Sequence, residues 1–188
     1  MKIVYKGKTL KGIDVVIRYP KLEDLNDLHR FVNEISKEKT FVVLQGEEIT
    51  LEEEKEFLKQ QIENVEKRKG VYLIAFCEND VIGVTEITLK TKVVRHLGSY
   101  GIMIAKKFRG QGLGKLLTEI GIEEAKKNLT GLEIIILDVF ANNLKAIQMY
   151  EKFGFKEFGT LPKGTKLENE YVDDVLMYKN VSSFKKRS

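Results

Sequence analysis

A single cysteine, Cys77, stands in the 188 residues, so no disulfide can close within the chain. It lies in the apolar run 71–77, where a small buried thiol is the expected role. Histidine is nearly as scarce. His29 and His96 are far apart and share no ligand spacing with each other or with Cys77, so no metal site is expected. No apolar run approaches the roughly 20 residues of a membrane span, and nothing near Met1 has the pattern of a secretion signal. Both absences lead to the expectation of a cytoplasmic protein that does not enter a membrane. No sign of charge dominates: 32 Lys and Arg stand against 28 Asp and Glu, a net charge of +4. The basic tail Lys185-Lys186-Arg187 is too short to imply nucleic acid. Repeats, linkers and low-complexity segments are missing. One domain over 1–188 is expected, with an N-terminal hairpin over 1–19 and a short basic tail over 180–188.

What is present is a globular composition, 43% hydrophobic, with alternating periodicities. Short strands are expected at 3–5 and 15–18, turning at Gly7 and Gly12 and ended by Pro20. Apolar residues at helical spacing follow over 22–36. Thr50-Leu51-Glu52-Glu53 forms a capping box that opens a second helix, expected to run to about 69 and stop at Gly70. A hairpin over 71–77 and 81–89 turns at Glu78-Asn79-Asp80. Next come a strand over 98–105, a helix over 112–128, a nearly unbroken apolar strand over 132–139 and a short helix over 142–153. Closing strands at 155–158 and 171–178 are expected to flank a flexible loop over 161–169. Strands interleaved with helices give the α/β class.

The most informative stretch is Arg109-Gly110-Gln111-Gly112-Leu113-Gly114, between a strand and a helix. Glycines at alternate positions let an anion approach the backbone closely, and the unpaired amides at the start of the helix favour negative charge. A nucleotide P-loop would need Ser or Thr after Gly114-Lys115, where Leu116 stands, and a glycine where Arg109 stands. The dinucleotide fingerprint G-x-G-x-x-G is also missed, since the spacing here is G-x-G-x-G.

The stretch does match Q/R-x-x-G-x-G/A. Farther on stands Asn143-Leu144-Lys145-Ala146-Ile147-Gln148-Met149-Tyr150, followed by Glu151-Lys152-Phe153-Gly154-Phe155, in the pattern N-x-x-A-I-x-L-Y-x-x-x-G-F. Together the two segments resemble the GCN5-related N-acetyltransferases (the GNAT family), in pattern closest to the RimI-type protein N-acetyltransferases. The resemblance covers 15–178. It implies a mixed, mostly antiparallel central sheet flanked by helices, with a splayed strand pair at the coenzyme site. The function it implies is transfer of the acetyl group of acetyl-CoA to a primary amine by direct attack. A non-catalytic acyl-CoA-binding or sensing module is the alternative.

The resemblance also assigns roles. Backbone groups of Ile102, Met103 and Ile104 would meet the pantetheine arm and thioester, where an amide could stabilise an oxyanion; as side chains these three read equally well as core residues. Arg109, Gly110, Gln111, Gly112, Leu113, Gly114 and Lys115 would hold the pyrophosphate. Asn143 would bind the coenzyme, and it is also a good helix cap. Tyr150, two helical turns beyond Asn143, would be the general acid: a phenol of pKa ~10 can protonate a thiolate whose conjugate acid lies at ~8–9. Its other reading is a core aromatic beside Phe153 and Phe155. Asp138 stands where RimI-type enzymes place a catalytic Glu, and Glu86 is the second candidate base. Phe140 departs from the RimI pattern, which commonly has Arg there.

The acceptor groove is expected in the least patterned segments, 34–48 and 161–174. Their carboxylates Glu34, Glu38, Glu47, Glu48, Glu168, Glu170, Asp173 and Asp174 could attract an ammonium group. Protein N-termini, lysine side chains, polyamines and amino sugars all remain open as acceptors, so the partner is a small-molecule, peptide or protein amine. A monomer or homodimer is expected.

Overall fold

Gly12, at φ +85°, makes the turn between β1 (Ile3–Lys8) and β2 (Asp14–Arg18) in the computed structural model of the chain, which describes residues 2–182. Gly7, expected in that turn, lies inside β1 and pairs with Val15. The basic tail at 185–187 falls outside the described residues. A short 3-10 turn, Leu22–Asp24, leads into α1 (Leu25–Lys37), which buries Leu28, Phe31, Val32 and Ile35.

The second helix, α2 (Leu51–Glu66), starts at the expected capping box. Thr50 Oγ1 accepts from Glu53 N at 3.2 Å, and Glu53 Oε2 accepts from Thr50 N at 2.8 Å. The helix ends at Glu66 rather than near 69. Arg68, at φ +54°, takes the left-handed position expected of Gly70. Gly70 instead opens β3 (Gly70–Cys77), where a Cβ would sit 3.1 Å from Asn64 Cβ, so the helix end packs directly on it.

The chain continues through β4 (Asp80–Leu89), β5 (Leu97–Ile104), α3 (Leu113–Asn128), β6 (Ile134–Phe140), α4 (Leu144–Lys152), β7 (Lys156–Lys166) and β8 (Tyr171–Asn180). The strands form one sheet in the order β1-β2-β3-β4-β5-β6-β8-β7, antiparallel everywhere except between β5 and β6. This is the mixed, mostly antiparallel sheet that the sequence leads one to expect.

Strand alternation sorts side chains into two cores. Tyr72, Ile74, Phe76 and Val84 meet α1 and α2 on one face. Val71, Leu73, Ala75, Ile87, Ile135 and Leu137 meet α3 and α4 on the other. β3 is therefore covered on both sides and reads as an unbroken apolar run.

Residues 161–169, expected as a flexible loop, belong mostly to β7, and only 167–170 connect it to β8. Two polar contacts hold this long hairpin: Lys163 N donates to Asp173 Oδ1 and Thr165 Oγ1 to Asp174 Oδ1, both at 2.7 Å. β7 is the outer edge of the sheet, so Pro162 sits there without removing an interior ladder bond. No helix among the described residues is long and apolar enough to cross a membrane.

Candidate active site

The sheet opens at its one parallel junction. β5 and β6 are in register only from Leu97↔Ile134 to Ser99↔Ile136, and beyond it 100–104 and 137–140 diverge. Gly98 makes the junction tight. A Cβ there would fall 2.9 Å from Ile87 Cγ2 and 2.9 Å from Leu132 Cδ1, so a side chain would push the strands apart too early. Past the junction an aromatic cluster packs on the α3/α4 face: Tyr150 lies 5.8 Å from Tyr100 and 5.7 Å from Phe155, centroid to centroid. Thr118 donates to Gly114 O at 2.8 Å, so the Tyr100 hydroxyl, 2.8 Å from Thr118 Oγ1, donates to Thr118. Burial pushes the Tyr100 phenol up to about 12.

The glycine turn closes one end of the opening, and its three glycines serve three needs. Gly110, at φ +69°, has no atom within 4 Å of the place its Cβ would take, so its backbone stands open to a ligand. Gly112, at φ +89°, is the N-cap of α3. Gly114 brings α3 down onto the strand and α4: a Cβ would lie 3.1 Å from Ile104 Cδ1 and 3.4 Å from Met149 Sδ. The first helical bond at this end is Leu116 N to Gly112 O, 3.2 Å. The amides of Leu113, Gly114 and Lys115 therefore have no intrahelical acceptor and present the positive end of the helix dipole. An open backbone beside free amides fits a diphosphate. The neighbouring side chains turn elsewhere. Leu113 is core, Lys115 is exposed, Gln111 Nε2 reaches Lys107 O at 3.3 Å, and Arg109 bonds Ile104 O and Glu38.

The two candidate bases share a face. Glu86 is opposite Gly101, and both point to the α1/α2 side. Carrying the parallel register two residues on sets Asp138 opposite Gly101 across the opening. Gly101 leaves bare backbone between the two carboxyls; a Cβ there would sit 3.2 Å from Glu86 Oε1. Burial raises the Glu86 pKa above the ordinary carboxylate range. Asp138 is exposed. Tyr150 lies on the opposite face, 6% exposed. Burial, then the charges of Tyr100 and Asp138, hold its phenol far above the ordinary value.

Ile102 and Ile104 send side chains into the α3/α4 core and Met103 into the other, while their backbone follows the open edge. Asn143 caps α4, its Oδ1 accepting from Ala146 N at 3.3 Å, which leaves Nδ2 as the group able to reach a ligand. Among the described residues no cluster of His, Cys, Asp and Glu is arranged to hold a metal ion.

Three features escape sequence reasoning. Phe140, on the face of Asp138, meets the ring of Phe41 edge-on at 6.4 Å. Glu38 bonds Arg109 across 71 positions of sequence, with no local signal. Glu54 is 3% exposed, and its Oε1 has no hydrogen-bond partner among the described residues. One signal pointed to it: it occupies an inward position of α2, one turn before Leu58.

A model of the acetyltransferase (GNAT) family matches residues 28–155, from within α1 to the residue before β7. The chain belongs to the GNAT family. This GNAT chain is 32% identical over 117 residues to the L-amino acid N-acetyltransferase AaaT of Escherichia coli, covering 61% of the chain and 72% of that protein. It is 26% identical over 126 residues to the spermidine N(1)-acetyltransferase of Vibrio cholerae, covering 67% of the chain and 70% of that enzyme. A crystal structure of a GNAT-family acetyltransferase from Streptococcus pneumoniae superimposes with a TM-score of 0.81 at 32% identity, over 89% of this chain and 99% of that one. The activity is that of an acetyl-CoA-dependent N-acetyltransferase.

Proposed function

We propose that this enzyme acetylates a small free amine by direct attack within the opening between β5 and β6. The observation that carries the reading is that Glu86 and Asp138 share one face of the sheet at that opening, with Gly101 beside Glu86 and the glycine turn at its end. Residues 1–188 serve as one acetyltransferase domain, with β1 part of its sheet. Acetyl-CoA supplies an activated acyl group on a thiol. The backbone of Gly110, with the amides of Leu113, Gly114 and Lys115, holds the pyrophosphate, and Asn143 Nδ2 donates to the coenzyme. The open edge of 101–104 orients the pantetheine arm.

Asp138 takes the proton of the incoming ammonium from the α1/α2 side, with Glu86 as the neighbouring carboxyl. The amine nitrogen then bonds the acetyl carbon as the C–S bond breaks; its second proton passes to water, and the sulfur leaves as a thiolate that takes a hydrogen bond from Tyr150 on the other side. Its raised pKa keeps the phenol protonated at neutral pH, so the donor is always in place.

The relatives act on a free amino acid and on a polyamine, and they are enzymes, so a non-catalytic module is not favoured. A small acceptor also suits the Phe41–Phe140 ring pair beside Asp138, which narrows the approach on that face. Phe140 in place of the Arg common in the RimI pattern argues against a ribosomal-protein N-terminus. Thiol release should be measured with free L-amino acids, spermidine and a peptide with an N-terminal alanine. Turnover of an amino acid or spermidine at least about tenfold above the peptide in kcat/KM is expected. Preference for the peptide would instead restore the RimI-type reading.

A further inference from the structure

The side chain of Arg109 does not serve the turn to which it belongs. Its Nε donates to the carbonyl of Ile104, the last residue of β5, at 2.9 Å, and its Nη1 lies 2.6 Å from Glu38 Oε2. Glu38 is the C-cap residue of α1, and its side chain is only 17% exposed. From Glu38 the chain enters 38–50, which has no regular structure but is well tied. Ser36 Oγ donates to Glu47 O at 2.6 Å and accepts from Gly46 N at 3.1 Å. Asn33 holds both backbone groups of Ile49, at 3.0 and 2.9 Å. Gln45 Nε2 donates to Thr40 O at 2.8 Å. The segment is thus fastened along the last turns of α1 and follows them.

The same segment reaches the acceptor side. Phe41 meets Phe140 beside Asp138, and Lys39 Nζ pairs with Glu168 Oε2 at 3.1 Å in the connection between β7 and β8. Arg109 therefore joins the glycine turn, the end of the splayed strand and the loop that flanks the acceptor. An exposed ion pair alone contributes little. This one is partly shielded, its guanidinium is anchored at a second point, and its two ends lie on parts that serve different ligands. Where ligand binding at one site changes an element that a second site also uses, the two are coupled, and that coupling is reciprocal.

We propose that Arg109 is a positioning residue that transmits coenzyme occupancy of the glycine turn, through Glu38, to the acceptor-side loop over 38–50. The proposal rests on the coenzyme placement given above.

Hydrogen–deuterium exchange of the full chain, with and without coenzyme A, tests it beside calorimetric titration of the same ligand. In the wild type, bound coenzyme A slows exchange of amides in 39–49 by about fivefold or more. Glu38→Gln and Arg109→Gln bind coenzyme A within about threefold of wild-type affinity, yet lose that slowing. The exchanged pair, Arg109→Glu with Glu38→Arg, recovers it, which a merely structural contact would not do in a coenzyme-dependent way. Equal protection in Glu38→Gln and wild type, or a wild-type loop indifferent to bound coenzyme, overturns the coupling alone. Loss of coenzyme affinity in Arg109→Gln but not in Glu38→Gln overturns it too, and makes Arg109 a phosphate ligand. A wild-type chain that binds no coenzyme A removes the coenzyme site itself and the coupling with it.

Discussion

The packing of Tyr150 and the catalytic role proposed for it pull in opposite directions. As a core ring against Tyr100 and Phe155 it needs burial, and burial raises its pKa. Each unit of that rise makes full proton transfer to a thiolate about 1.4 kcal/mol harder. In the proposed reaction its service is therefore a hydrogen bond that strengthens as charge grows on sulfur. Tyr150→Phe keeps the ring, so thermal unfolding should move little while kcat and kcat/KM fall together, by roughly 10–100-fold. A thioester with a more acidic thiol should show a smaller loss. Unchanged kcat would leave Tyr150 as packing alone. The carboxyls separate in the same way: Asp138→Asn should lower kcat by roughly 10²–10⁴-fold with coenzyme affinity intact. If Glu86→Gln carries that loss and Asp138→Asn does not, the half-buried carboxyl of Glu86 is the base.

Among the elements, the glycine turn makes the sharpest demand on sequence. Gly112→Val would strain a left-handed backbone and press on Leu10, whose N would lie 3.3 Å from the new Cβ, so stability and binding would fall together. Gly110→Ala is the cleaner probe, because its Cβ enters open space. It should cost about 1–2 kcal/mol in unfolding experiments for its φ and weaken coenzyme A binding by at least about tenfold in titration. Binding equal to wild type would mean that the pyrophosphate lies elsewhere.

This turn, the capping box at Thr50 and the Asn143–Tyr150 helix were legible because each is written within a few consecutive residues. The length of β7 was not. An edge strand exposed along most of its length shows no alternation, and the bonds that order it come from Asp173 and Asp174 on its partner. The end of α2 misled for a similar reason: Gly70 serves close packing, not a turn. Glu86 and Asp138 were legible as carboxylates near strands, but their shared face depends on strand register across three strands.

For the molecule as a whole, Glu54 places a cost on neutral pH. Burial raises its pKa to about 7, and Oε1 has no partner among the described residues. Below the ordinary carboxylate value it is protonated folded or unfolded and changes nothing. Between that value and about 7 the unfolded chain ionises first, so stability falls as pH rises, and above about 7 the full penalty stands. Glu54→Gln should therefore gain about 1–3 kcal/mol near pH 8 and almost nothing near pH 4, as read from denaturant curves at both pH values. A gain at pH 4 as large as at pH 8 would point to packing rather than ionisation.

The parallel junction has a mechanical consequence at this scale. Up to β5, each strand pairs with the next in the chain, and β6, β7 and β8 pair among themselves, so the sheet divides into two groups of strands joined along a seam in register from Leu97↔Ile134 to Ser99↔Ile136. Parallel pairing is slightly weaker per residue than antiparallel, and this seam is short. This short seam is thus also the line along which the substrates are proposed to lie, so motions that widen the cleft load the same three-residue register.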